Sequence, residues 1–183
     1  MSNFLGLFLL IMLSCSSANT NTENNSNAIS ETNHAEQQGM LLGEVSKKDL
    51  EEEPYATWFH QGYEDYKPSE DIMETIDNYI SDYEIKMVFG TWCPDSRREV
   101  PKVFKLLDKA GYDLEKLDVI AVDRSKSTPG NLEEGLDVKR VPTVIFYKDG
   151  EEVNRFVEYP QESLEEDIAK IVSGQEYTNP YAE

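Results

Sequence analysis

The chain has 183 residues, enough for one ordinary domain with additional segments. Seventeen Lys and Arg face 36 Asp and Glu, a net charge of -19 that repels phosphate backbones and excludes nucleic acid as a partner. Two cysteines, Cys15 and Cys93, and two histidines, His34 and His60, are too few for a disulfide framework or a cysteine-rich zinc site.

Residues 4–13 are almost all apolar, and no Lys or Arg precedes Cys15. Ten apolar residues are too short for a spanning helix but suit the apolar region of a secretory signal. Met12-Leu13-Ser14-Cys15 resembles a bacterial lipobox, in which the chain is cut before a cysteine that is then lipidated. The resemblance implies a signal peptide over 1–14 and a lipoprotein anchored at Cys15, facing the periplasm of a bacterial cell envelope. The other reading is an ordinary signal whose Cys15 is discarded. Residues 16–38 are dominated by Ser, Asn, Thr, Glu and Gln, with too little apolar area to offset the entropy of ordering. A flexible linker is therefore expected over 15–45, with a reach of about 30 Å.

A helical extension is expected over 46–82. Ser46 and Asp49 form a candidate capping box, and Pro54 interrupts the helix. Tyr55, Trp58, Phe59, Tyr63 and Tyr66 then fall at helical spacing, as a face buried against the main domain would. A second helix over 69–83 carries Ile72, Ile76, Tyr79 and Ile80 on one side.

From residue 83 to 173 strands and helices alternate. Strands are expected over 85–89, 117–122, 141–147 and 153–159, with a hairpin turn at Lys148-Asp149-Gly150-Glu151. Helices are expected from Pro94 to about Ala110, briefly over 131–136, and over 162–172. The order describes an α/β fold, a mixed four-stranded sheet with helices on both faces. Residues 174–183 read as a flexible tail.

The chemistry concentrates at Gly90-Thr91-Trp92-Cys93-Pro94-Asp95-Ser96-Arg97-Arg98. A cysteine at a strand-to-helix turn meets the amides and positive end of the helix, which favour thiolate. Ser96, three residues on, is placed to donate to the sulfur. Arg97 and Arg98 would favour ionisation, and Asp95 would oppose them.

Trp92-Cys93-Pro94-Asp95-Ser96 resembles the Trp-Cys-x-x-Cys motif of the thioredoxin family. Pro101 matches the proline that kinks the family's active-site helix, and Val141-Pro142-Thr143 matches its cis-proline loop. The resemblance implies a thioredoxin-like fold over 83–173, a catalytic role for Cys93, Ser96, Trp92 and Pro142, and substrate binding by Trp92, Pro94, Val141, Pro142 and Thr143. Two departures stand out. Ser96 occupies the position of the resolving cysteine, and Met87 occupies a position where many thioredoxins carry a buried Asp.

One thiolate can attack a disulfide but cannot close an internal disulfide to release the product. Disulfide shuffling, monothiol reduction with an outside thiol, and exchange of small thiol adducts remain open, as does a non-catalytic peptide-binding module on the same frame. The expected partners are disulfide- or thiol-bearing envelope proteins or small thiols, with membrane contact only through a lipid at Cys15. No cofactor or metal is expected. The Cys-x-x-Ser spacing also resembles monothiol glutaredoxins, but these lack the preceding Trp. His60 has no spacing argument for a metal site with Cys93.

Overall fold

The computed structural model describes residues 39–182. The apolar segment at 4–13, Cys15, and the polar stretch through 38 lie outside the described residues. Among the described residues no helix is long and apolar enough to cross a membrane.

Among the described residues the sheet has five strands in the order β1-β3-β2-β4-β5. They are β1 (Gly43–Glu44), β2 (Glu84–Phe89), β3 (Leu117–Ala121), β4 (Thr143–Lys148) and β5 (Glu151–Val157). The central strand β2 runs parallel to β3, with Met87 opposite Val119, and antiparallel to β4, with Met87 opposite Val144. Parallel neighbours need a long crossover, supplied here by a helix. Strands β4 and β5 are joined tightly, because Asp149 (φ 54°) and Gly150 (φ 83°) both take the left-handed conformation that two-residue hairpins require.

Among the described residues five α-helices accompany the sheet: α1 (Lys47–Leu50), α2 (Ala56–Asp65), α3 (Glu70–Tyr79), α4 (Pro94–Lys109) and α5 (Leu164–Ser173). Each sends buried side chains into one cluster with Ile85, Met87 and Phe89 of β2. Among them are Leu50, Phe59, Ile76, Phe104 and Ile168. The opposite face, carrying Val88, Ile120 and Val122, packs against Val141, Cys93, Leu136 and Val138. Its cover comes from the β3–β4 connection and not from a helix.

The helix expected over 131–136 is replaced by successive turns, closed by Asn131 N–H to Thr128 O, Glu134 N–H to Asn131 O and Leu136 N–H to Glu133 O. Side chains explain this. The Glu133 carboxylate accepts from both the Thr128 amide (3.0 Å) and its hydroxyl (2.7 Å), and Thr128 Oγ1 accepts from Leu132 N–H (2.8 Å). Such local bonds compete with helix formation. Asn131 (φ 52°) and Gly135 (φ 82°) are also left-handed.

Three further boundaries differ from expectation. The linker assigned through 45 ends earlier: Leu41, Leu42 and Val45 are buried, and β1 pairs with β3, Gly43 opposite Ala121. An open strand edge leaves polar groups unpaired, and this segment satisfies them. Helix α3 tightens to a 3₁₀ turn at Ile80–Asp82. The buried side of α3 is Met73 and Ile76, continued by Ile80, which leaves Tyr79, expected on the apolar face, 44% exposed. Tyr83 is buried instead, and its hydroxyl donates to Val172 O at 2.9 Å.

Residues 174–182 are not a loose tail. Gly174 (φ 72°) ends α5 in the left-handed conformation, and Tyr177 packs against the core. The Tyr177 hydroxyl donates to Asp167 (3.2 Å), and its carbonyl accepts from Asn154 Nδ2 (3.0 Å). Burial pushes the Asp167 carboxyl above the ordinary aspartate range, and the amides of Gln161 and Glu162 also donate to it.

The aromatic stripe of α2 packs on α4. Phe59 and Phe104 meet edge to face, their centroids 5.6 Å apart. Tyr63 and Tyr66 donate at 2.6 Å to Asp108 of α4 and Glu165 of α5. The helices approach closely at Gly62, where a Cβ would lie 3.0 Å from Pro101 Cβ and Cγ. Gly62→Val should therefore force α2 off α4 and destabilise the fold by about 2 kcal/mol. The check is a lower urea midpoint with an unchanged slope.

Candidate active site

Strand β2 ends at Phe89, and Gly90 to Trp92 lead into α4. The Cys93 amide donates to Gly90 O at 2.9 Å, closing a tight turn. Cys93 is the N-cap residue of α4, with extended backbone (φ −86°, ψ 124°), and its carbonyl accepts from Arg97 N–H at 3.0 Å. Pro94 follows at the first helical position, where a missing N–H costs nothing and its fixed φ suits the helix. These features place the sulfur at the amide end of a 16-residue helix.

Cys93 is 6% exposed and is the free cysteine of the described residues. Its sulfur lies 3.2 Å from Val141 O, to which the thiol donates. The Val141–Pro142 peptide bond is cis. Pro142 O accepts from Glu158 N–H (2.7 Å), and Thr143 Oγ1 donates to Arg140 O (2.7 Å). The loop is thus held on both sides of its proline while Val141 faces the sulfur.

Trp92 is half-buried, and its indole Nε1 donates to Val122 O at 2.9 Å. The Arg124 guanidinium sits 5.1 Å from its ring centroid. Gly90 makes this packing possible: a Cβ there would lie 2.5 Å from Trp92 Nε1.

The remaining expected residues are arranged differently. Ser96 is fully buried, and its Oγ accepts from Gly90 N–H at 3.2 Å. Among the described residues no hydrogen bond joins it to the sulfur, whose partner is Val141 O instead. Arg98 is held by Asp95 (2.7 Å) and Glu99 (2.6 Å), so Asp95 is engaged by a cation and not directed against one at the sulfur. Arg97 donates through Nε to Thr91 O at 2.5 Å. Met87 is fully buried between Val119 and Val144, so no carboxylate stands at that position.

Two contributors escaped the sequence reading. Thr91 is buried and accepts the Leu41 amide on its hydroxyl at 3.3 Å, which ties the β1 segment to the active-site turn. The apolar pair Leu41-Leu42 at the end of a polar stretch was the available signal. Arg124 left no local signal, because its partner Trp92 lies 32 residues away.

A family profile described as Thioredoxin matches residues 47–170. The chain belongs to the thioredoxin family. It is 34% identical over 85 residues to a thioredoxin of Listeria monocytogenes, covering 46% of this chain and 78% of that one. It is 33% identical over 83 residues to a thioredoxin of Gallus gallus, covering 45% and 73%. The crystal structure of Fasciola hepatica thioredoxin is similar at 23% identity over 58% of this chain and 92% of that one, with a TM-score of 0.37; the family assignment does not rest on it. Family membership supports thiol–disulfide oxidoreductase chemistry in general. The family profile begins at α1, so the helical extension lies mostly inside the matched region.

Gly90→Ala should push the indole from Val122 O and cost about 1–3 kcal/mol. In a Trp58→Phe background, which leaves Trp92 as the remaining tryptophan, its emission should shift to the red.

Proposed function

We propose that this chain carries out thiol–disulfide exchange through Cys93 alone, as a monothiol reductase or isomerase in a bacterial cell envelope. The observation that carries the reading is the sulfur of Cys93 at the start of α4, 3.2 Å from Val141 O beside Pro142, with a serine at the resolving position.

A carbonyl oxygen accepts hydrogen bonds only, so the contact with Val141 O belongs to the protonated thiol. An extended substrate segment pairing with the Val141 backbone competes for that carbonyl and frees the sulfur. The thiol gives up its proton, and the thiolate attacks one sulfur of the substrate disulfide. The other sulfur leaves with the bonding electrons and takes a proton. This forms a mixed disulfide. Ser96 cannot resolve it. An outside thiol does so for reduction, and a second thiol of the same substrate does so for isomerisation. Helix α4 contributes its amide end to the thiolate.

The envelope location rests on the lipobox resemblance at Met12-Leu13-Ser14-Cys15. A lipid on Cys15 would tether the domain, and disulfide- or thiol-bearing envelope proteins or small thiols would be its partners. Cys15→Ala should move the protein from the membrane to the soluble envelope fraction, measured by fractionation. Soluble wild-type protein starting beyond Cys15 would overturn the anchor.

Peptide binding without turnover is the second reading, favoured by the 6% exposure of Cys93. A pair of variants separates the two. Wild type should stop at about one mixed disulfide per chain unless a small thiol is added. Cys93→Ser should form none. Ser96→Cys should close an internal disulfide and turn over a disulfide substrate many times. Absence of any Cys93 adduct, with or without added thiol, would leave peptide binding as the better account.

A further inference from the structure

The chain has five arginines. Three are tied to carboxylates: Arg98 to Asp95 and Glu99, Arg140 to Glu158, and Arg155 to Glu152. Among the described residues Arg97 and Arg124 have no carboxylate partner, although the chain carries 36 acidic residues. Both contact the dipeptide that precedes the nucleophile. Arg97 donates through Nε to Thr91 O, which leaves its terminal nitrogens without a partner among the described residues. Arg124 lies over the Trp92 ring.

Asp65 lines a groove with Arg97 without an ion pair to it, and acids close to the two arginines in sequence are engaged elsewhere. Asp95 pairs with Arg98, and Asp123 accepts the amides of Ser125 (2.7 Å) and Ser127 (3.0 Å). Arg97 also lines an open groove of about 600 Å³ between α2 and α4, with Trp58, Tyr66 and Lys102. Two guanidiniums without a carboxylate partner among the described residues therefore contact the Thr91-Trp92 dipeptide beside Cys93 on a strongly acidic protein.

We infer that Arg97 and Arg124 select disulfides flanked by carboxylates, docking one acidic group on each side of the substrate cysteine. This inference rests on the exchange reading and names its substrate class. Guanidinium suits the role, since its fork matches a carboxylate and its face stacks on an aromatic ring without losing outer donors. The overall charge of -19 does not cancel the effect. Exposed charges beyond about 8 Å are largely screened at physiological salt, whereas a docked carboxylate lies within hydrogen-bond reach of its arginine. An exposed ion pair changes a binding constant by about 1.4- to five-fold, so two acting together predict a preference between about two- and 25-fold.

The test uses the full chain with Cys15→Ser, so that Cys93 is the remaining thiol. Two synthetic peptides carry one cysteine as a 2-pyridyl disulfide, flanked on both sides by Glu in one and by Gln in the other. Attack by Cys93 makes the protein–peptide disulfide and breaks the peptide–pyridyl one. The electron pair and a proton leave as pyridine-2-thione, which is followed by absorbance. The readout is the ratio of the two rates within each variant, in which any change in the sulfur's own reactivity cancels. Wild type should favour the Glu peptide about five-fold at low salt, with the ratio falling towards one in high salt. Arg97→Gln/Arg124→Gln should show a ratio near one at both. A wild-type ratio near one, or a preference that survives in the double variant, would overturn the inference while leaving exchange intact. Failure of Cys93 to react with either peptide would overturn exchange and this inference together.

Discussion

The inner half of strand β2, Met87 to Phe89, has water on neither side. Ile85, Met87 and Phe89 point into the helical cluster, and Val88 packs among Ile120, Val122 and Val141. Such a strand must be hydrogen-bonded along both edges and covered on both faces. Strands β3 and β4 meet the first demand; the helices and the β3–β4 connection meet the second. The strand runs through the Gly90–Trp92 turn into α4, so the constraint that fills the core also sets the location of Cys93. The sulfur belongs to the cluster on the non-helical face, in contact with the end of the same connection that leads into the Val141–Pro142 loop.

The family's two-cysteine chemistry needs a second thiol near the first, and this chain places a hydroxyl there. Ser96 is not idle: it is buried and accepts the Gly90 amide, and so helps hold the turn that carries Trp92 and Cys93. The serine thus contributes to the shape of the turn. A hydroxyl at this position accepts the turn's hydrogen bond and cannot form a disulfide with Cys93.

Strongly local features were legible in the sequence. The Asp149-Gly150 hairpin and the Pro94 helix start depend on residues adjacent in the chain, and each lies where its turn chemistry puts it. The Val141-Pro142-Thr143 segment was readable because its resemblance is carried by consecutive residues. Features decided by distant partners were not readable. Whether 131–136 becomes a helix depends on a competition that the Thr128–Glu133 bonds win. Whether Leu41 joins the fold depends on the unfilled edge of β3. The ordering of 177–182 depends on Asp167, a buried carboxylate whose partner is supplied by Tyr177. At the site, motif spacing placed Ser96 and the arginines near the sulfur in sequence, but their bonds go to Gly90, Thr91, Asp95 and Glu99.

The bond from the Leu41 amide to Thr91 Oγ1 gives the N-terminal side of the domain a mechanical meaning. Any pull on the chain upstream of residue 39 reaches the folded body through this short stretch, which is held by the Tyr55 hydroxyl on Gly39 O (3.4 Å), by the active-site turn, and by the β3 edge. One of these attachments lies two residues from the nucleophile. Tension on the N-terminal side would be shared between the start of α2 and the Thr91-Trp92 dipeptide, so the turn that holds Cys93 is also one of the fold's points of attachment to the segment before it.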